Sequence, residues 1–174
     1  ELFSPLHVAL IALLQSLQKE DWKKQTIAPL WNVKDVAAHL LDGHLRTLSF
    51  LRDGFKVETP PTIQSYQHLV DYLNNLNASW VQAMRRVSPD VLCMMLAKSG
   101  PAYADTLAAL PPYDEAIFSV AWAGEETSQN WFHVAREYTE QWHHQQQIRL
   151  AVGQEALLYS KTFYHPYLDT SMRA

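Results

Sequence analysis

Hydrophobic positions recur every three to four residues along most of this chain and almost nowhere every second residue. Leu6, Leu10, Leu13, Leu14 and Leu17 keep helical spacing and predict a first helix from about Pro5 to Lys19. Asn32 with Asp35 three residues on is a capping-box-like start. Val33, Val36, Ala37, Leu40, Leu41, Leu48 and Leu51 extend that helix to Asp53, with Gly54 as its stop. After the rigid Thr59-Pro60-Pro61-Thr62 loop, a third helix is expected from Ile63 to Arg86. Its apolar stripe is Tyr66, Leu69, Val70, Leu73, Leu76, Trp80 and Met84. Ser88-Pro89 is a cap followed by proline at the first helical position. The helix it starts is expected to break at Gly100-Pro101 and resume to about Leu110, where Pro111-Pro112 end it. Residues 113–126 read as irregular, with Ile117–Trp122 open to an extended form. Ser128 is the expected cap of a last long helix reaching Leu150–Val152, and Gly153 stops it. No pair of alternating strands with an Asn-Gly or Asp-Gly turn occurs. The class is therefore all-α: four long helices with at least one long connection and short extra helices, which is a helix bundle. Residues 1–155 form the bundle. Residues 156–174, with Tyr164, Pro166 and Tyr167, are a C-terminal extension that packs on it or leads to a further domain.

Composition narrows the function classes. Charged residues are 18% of the 174 positions, below the roughly 25% of an average soluble protein. The net charge of −4 argues against nucleic acid as a partner, because phosphate binding wants a basic excess. The longest apolar run, Val8 to Leu14, is far short of the ~20 residues that span a bilayer. It also lacks the basic flank of a signal peptide, so the reading is no membrane partner and a cytoplasmic location. Glu1 is not a methionine, and the numbering can begin inside a longer product. A single cysteine, Cys93, excludes an intramolecular disulfide and a cysteine-based zinc site. Eight histidines stand against it, so any transition metal here would be held by imidazole and carboxylate.

The last long helix is the informative segment. At about 100° per residue, His133, Glu137, Glu140, His144 and Gln147 fall on one face, and Trp131, Tyr138 and Trp142 on the other. Glu140 and His144 are four apart, which stacks two side chains on one face and is a common half of a metal site. The pattern alone also fits a solvated polar stripe opposite a packed aromatic one. Against that, the stripe carries no lysine, and His143-His144 followed by three glutamines is poor for helix stability alone. His143 points about 100° away from His144, toward packing or solvent. A third ligand would come from another helix, where His39 and His44 are the candidates. His44 lies nearer the middle of the apolar stripe and His39 at its edge beside Asp35, Asp42 and Arg46. Periodicity makes His44 the buried one and does not select His39.

The stretch Pro29-Leu-Trp-Asn-Val-Lys-Asp-Val-Ala-Ala-His-Leu-Leu41 resembles the signature of the DinB-like superfamily, in particular the metal-binding domain of mycothiol-dependent maleylpyruvate isomerases. Trp122-Ala-Gly-Glu125, Ala135-Arg-Glu-Tyr-Thr-Glu-Gln-Trp-His-His144 and Ile148-Arg149 are similar to the same family. The resemblance covers essentially residues 1–155. It implies a DinB-like four-helix bundle holding one divalent metal, zinc or nickel, on His39, Glu140 and His144. Three protein ligands leave a position for water or substrate, as in catalytic sites. His133 and Glu137 then become second-layer or substrate contacts, and Arg46 either faces an anionic substrate or makes a surface salt bridge. The isomerase branch often has aspartate three residues after the last histidine, where this chain has Gln147. That branch also carries a further C-terminal domain, for which residues up to Ala174 leave no room.

What the resemblance implies about function is metal-assisted thiol chemistry. A low-molecular-weight thiol of the mycothiol or bacillithiol type would be activated to a thiolate, for isomerisation or S-transfer on a small-molecule electrophile. A metal-dependent hydrolase and a non-catalytic, stress-linked metal-binding module are the alternatives. Bundle relatives often pair, so a homodimer is kept as an option. Cys93 reads as a packing residue.

Overall fold

The computed structural model describes residues 2–55, 63–117 and 127–173. Among the described residues six α-helices follow one another: α1 (Phe3–Ser16), α2 (Val33–Thr47), α3 (Tyr66–Met84), α4 (Pro89–Ala108), α5 (Asn130–Val152) and α6 (Lys161–Arg173). No strand occurs among the described residues, where Gln25–Asn32 and Glu115–Gln129 are isolated bridges. The fold is an all-α bundle, as the periodicity predicts.

α2 is the central helix and packs on α3, α4 and α5, while α1 packs on α4 and α5. Its start follows from the local sequence. The Asn32 side chain accepts from the Asp35 amide at 2.9 Å, and Asp35 accepts from the Asn32 amide at 3.2 Å. The reciprocal pair satisfies two amide donors that the first turn leaves without helical partners. Asp35 is buried and also takes a two-pronged bond from Arg85, at 3.0 and 2.9 Å, which ties the start of α2 to the end of α3. The loop before α2 is fixed from inside. Thr26 Oγ1 and Gln25 Nε2 both donate to the Trp31 carbonyl, at 2.7 and 2.8 Å. Trp31 therefore enters the helix at a defined angle.

The main core unites Leu10, Leu13 and Leu14 of α1 with Val33, Val36, Leu40 and Leu41 of α2, Leu92 and Leu96 of α4, and Ile148 of α5. Each such side chain, fully buried, contributes about 1.5–3 kcal/mol. A second cluster sits under the C-terminal segment. Tyr138 and Trp142 of α5 pack with Leu6, Leu158 and the rings of Phe163, Tyr164 and Tyr167. Tyr138 donates to the Phe163 carbonyl at 2.9 Å, and Trp142 stacks on Tyr167 at 4.0 Å. The aromatic face of the last bundle helix is thus the seat of α6.

Several boundaries differ from the sequence expectation. α1 ends at Ser16, not Lys19, and α3 starts at Tyr66, where Ser65 caps it, rather than at Ile63. α2 stops at Thr47 and continues as a π-helical turn over Leu48–Arg52, widening before the left-handed Gly54. Of the expected α3 stripe only Met84 is buried, with Val81 beside it; Tyr66, Leu73 and Leu76 are exposed. Ser128 is not the cap of α5: Gln129 holds that position without a side-chain bond. Gly153, at φ 73°, does terminate α5 in the left-handed conformation. The extended option for Ile117–Trp122 falls largely outside the described residues.

The break expected at Gly100-Pro101 is absent, and α4 runs through both residues. Gly100 is there for packing. A methyl group at its position would overlap the His7 ring of α1. The glycine lets α1 and α4 approach, and burying the surface between the two helices outweighs the one helical hydrogen bond that Pro101 removes. Gly100→Ala is expected to destabilise the protein by about 1–2 kcal/mol, overpacking outweighing the gain in helix propensity. Urea unfolding measures this, and a stabilised variant would refute the packing role.

Candidate metal centre

His39, Glu140 and His144 meet where the middle of α2 faces α5. One ligand-capable atom from each lies within 4.8 Å of the other two. Among the described residues this is the one group of three such side chains. His39 and His144 stand edge to face at 4.6 Å between ring centres. His144 Nε2 lies 3.2 Å from Glu140 Oε2. The histidine is largely covered, and the glutamate side chain is 61% exposed, so Glu140 is the open side of the cluster. Trp31 lies over His39 at 4.9 Å and near His144 at 6.3 Å. It forms an apolar wall.

The electrostatics suit a cation. Burial, followed by repulsion from His144, lowers the His39 pKa to about 3, so its ring is neutral at physiological pH. Its Nδ1 is buried without a hydrogen-bond partner. Glu140 is held below the usual carboxylate range, chiefly by its bond to His144. Two imidazoles and one carboxylate with an open side are a donor set that fits zinc or nickel, and leaves room for a further ligand.

The remaining sequence candidates are distributed around this cluster. Glu137, one turn before Glu140, is half-buried and accepts from the Tyr103 hydroxyl at 2.8 Å. Burial pushes its carboxyl up, against the pull of the Tyr103 bond. Gln147 accepts from His144 Nδ1 at 3.0 Å and donates to His143 Nε2 at 3.0 Å. His143 is exposed, as expected, but it is bonded through Gln147 to the cluster. Arg46 pairs with Asp42 at 3.1 Å, and its charge still helps lower His39. His133 is buried near the start of α5, its pKa lowered by burial and then by Arg136. It is not among the three clustered groups.

His44, the alternative to His39, is inside the bundle. Its Nδ1 meets Ser99 Oγ at 2.9 Å, and its Nε2 donates to Gln141 Oε1 at 3.4 Å. Cys93 lines a separate cavity of about 330 Å³ with Leu14, Leu17, Trp22 and Met94. Burial raises its thiol pKa, the opposite of activation. Three participants were not singled out in the sequence: Trp31, Tyr103 and the His143 link. Trp31 sits directly before the Asn32 cap, and His143 precedes Gln147 by four. Those two spacings were available; nothing local pointed to Tyr103.

An all-α bundle with a histidine-rich cluster between its second and last long helices defines the class. The chain belongs to the mycothiol maleylpyruvate isomerase N-terminal domain family, whose model matches residues 3–149. The family is thus mycothiol-associated and maleylpyruvate isomerase-like. No curated protein and no solved structure gave a match. Among the described residues, no helix is long and apolar enough to cross a membrane.

Proposed function

We propose that this chain binds one divalent metal ion, zinc or nickel, through His39, Glu140 and His144. There it activates a low-molecular-weight thiol of the mycothiol or bacillithiol type for isomerisation or S-transfer. The observation that carries this reading is the convergence of three ligand atoms within 4.8 Å, open on the Glu140 side, in a chain of a mycothiol-associated family. A bound ion would lower the pKa of a thiol at the open position. The protein's own groups supply the rest. His39 is kept neutral by burial. Trp31 shields one side of the cluster from water. Arg46 leaves a positive charge beside it, which favours an anionic electrophile.

Glu137 is the group suited to take the thiol proton. It lies one turn from Glu140, is oriented by Tyr103, and its raised pKa brings it nearer neutrality. The proton leaves sulfur for the Glu137 carboxylate as the thiolate forms. Glu137→Gln is expected to reduce kcat by about 10²-fold with metal content unchanged. Steady-state kinetics alongside elemental analysis measures both.

The test of the reading is a thermal-shift series on protein purified without a metal-affinity tag. Zinc or nickel should raise Tm, and a thiol from a mycothiol and bacillithiol panel should raise it further, only in metal-loaded protein. Turnover of an ester or amide without any thiol response would overturn it in favour of hydrolysis. Loss of stability on chelation with neither thiol response nor turnover would overturn it in favour of a structural metal.

A further inference from the structure

His143, Gln147, His144 and Glu140 form one continuous chain of contacts along the exposed edge of α5. The separations are 3.0 Å from His143 Nε2 to Gln147 Nε2, 3.0 Å from Gln147 Oε1 to His144 Nδ1, and 3.2 Å from His144 Nε2 to Glu140 Oε2. The polarity of this chain is set by the amide. With the Gln147 NH₂ donating to His143, its oxygen faces His144, so Nδ1 of His144 carries the proton. A neutral His144 then presents a bare Nε2 lone pair to a carboxylate 3.2 Å away. In that orientation the gap between Nε2 and the carboxylate is closed either by a second proton on the ring or by a metal ion. Turning the amide by about 180° reverses every bond. His143 Nε2–H then donates to the amide oxygen, the amide donates to His144 Nδ1, and His144 Nε2–H donates to Glu140. This second state is satisfied with no cation at all. An aspartate or glutamate at position 147 could only accept, and would hold the first state permanently. A glutamine amide at position 147 admits either orientation, and His143 is the partner that distinguishes them.

We propose that Gln147 and His143 are positioning residues that set which nitrogen of His144 carries the proton, so that the Gln147 amide turns between a metal-receiving and a metal-free state. The inference rests on the proposed role of His144 as a ligand. Ligating histidines are commonly oriented by a hydrogen bond to their other nitrogen, and losing that partner typically costs 10–100-fold in metal affinity. Here the orienting group is reversible and is itself held by a second histidine at the surface.

The experiment uses the whole chain and zinc. Chelator competition gives zinc affinity for the wild type, Gln147→Leu, Gln147→Glu, His143→Ala and the double variant His143→Ala/Gln147→Glu. Long-range nitrogen–proton NMR at pH 8 reads the tautomers of His143 and His144 with and without zinc. Gln147→Leu should bind zinc about 10–100-fold more weakly, and Gln147→Glu at least as tightly as the wild type. His143→Ala should weaken binding several-fold in the wild-type background and leave it unchanged in the Gln147→Glu background. His143 should move from the Nε2–H to the Nδ1–H tautomer when zinc is added. Equal zinc affinity in Gln147→Leu and wild type, or a His143 tautomer indifferent to zinc, would overturn the relay while leaving the site intact. If Gln147→Leu does not fold, Gln147→Glu and the wild-type tautomer measurement decide alone. Zinc binding that survives His144→Ala would overturn the site, and the relay with it.

Discussion

Replacing His144 or His39 by alanine will lower affinity for zinc by more than about 100-fold, a larger loss than removal of an outer hydrogen-bond partner. Each substitution removes one of three ligand atoms gathered within 4.8 Å. The stability readout follows by mass action. Free zinc at about 1,000 times the wild-type Kd stabilises the wild type by about 4 kcal/mol. A 100-fold weaker variant at the same concentration gains about 1.4 kcal/mol. In a chain this size the difference corresponds to roughly 5–10 °C in zinc-dependent Tm. In chelator both variants should unfold close to the wild type, because His39 and His144 lie at the edge of the bundle and not in its leucine core. Glu140→Gln should fall between, since the amide oxygen still coordinates but the charge is lost. A zinc shift in His144→Ala equal to that of the wild type would mean that the cluster is not where zinc binds.

The bundle was legible because its signals are local. Helix caps at Asn32 and Ser88 are short-range chemistry, and the leucine periodicity of α1 and α2 carries Leu10, Leu13, Leu14, Leu40 and Leu41 into the core. Where the reading failed, a tertiary contact had overruled a local rule. Gly100-Pro101 looks like a helix break in isolation. The deciding fact is His7, more than ninety residues earlier, lying where a side chain on residue 100 would be. Tyr66, Leu73 and Leu76 keep perfect helical phase yet stay exposed, because phase shows which residues share a face and not whether a neighbour covers it.

The site was half legible for the same reason. Glu140 and His144 are one helical turn apart, so their pairing is a property of one helix. His39 comes from a different helix, and its selection over His44 came from family resemblance. The structure gives the physical distinction. His44 has two hydrogen-bond partners deep in the bundle, whereas His39 has an orphaned nitrogen beside Glu140 and His144. Five of the eight histidines therefore fall into two groups. His39 and His144 belong to the cluster, with His143 joined to it through Gln147, and His7 and His44 belong to the packing of α1, α2 and α4.

The second pair makes acid stability the other large expected effect. His44 is 1% exposed, stacked on Tyr103 of α4 at 4.5 Å and 5.6 Å from the His7 ring of α1. Burial, reinforced by His7, lowers its pKa to about 4 from an ordinary 6.5, against a small opposing pull from the Gln141 bond. Between those values the unfolded chain holds the His44 proton and the folded chain does not. Protons therefore favour unfolding: the contribution is intact above pH 6.5, is lost progressively as pH falls, and levels off below about 4. The full span is about 3 kcal/mol, at most about 1.4 kcal/mol per pH unit. His7, His39, His133, His143 and Glu140, also lowered, act in the same direction, whereas Asp42 and Glu137, raised by burial, act in the opposite one. The wild-type slope is their sum, so the measurement has to be a difference. Urea unfolding in chelator at pH 7, 5.5 and 4.5 should show the wild type losing more stability on acidification than His44→Gln, by about 2–3 kcal/mol at the lowest pH. His44→Gln starts less stable at pH 7 because glutamine does not refill the ring's place on Tyr103, so the two curves converge in acid. Parallel curves would mean that His44 is protonated within the folded bundle at little cost. The interior between α1, α2 and α4 would then be wetter than its packing implies.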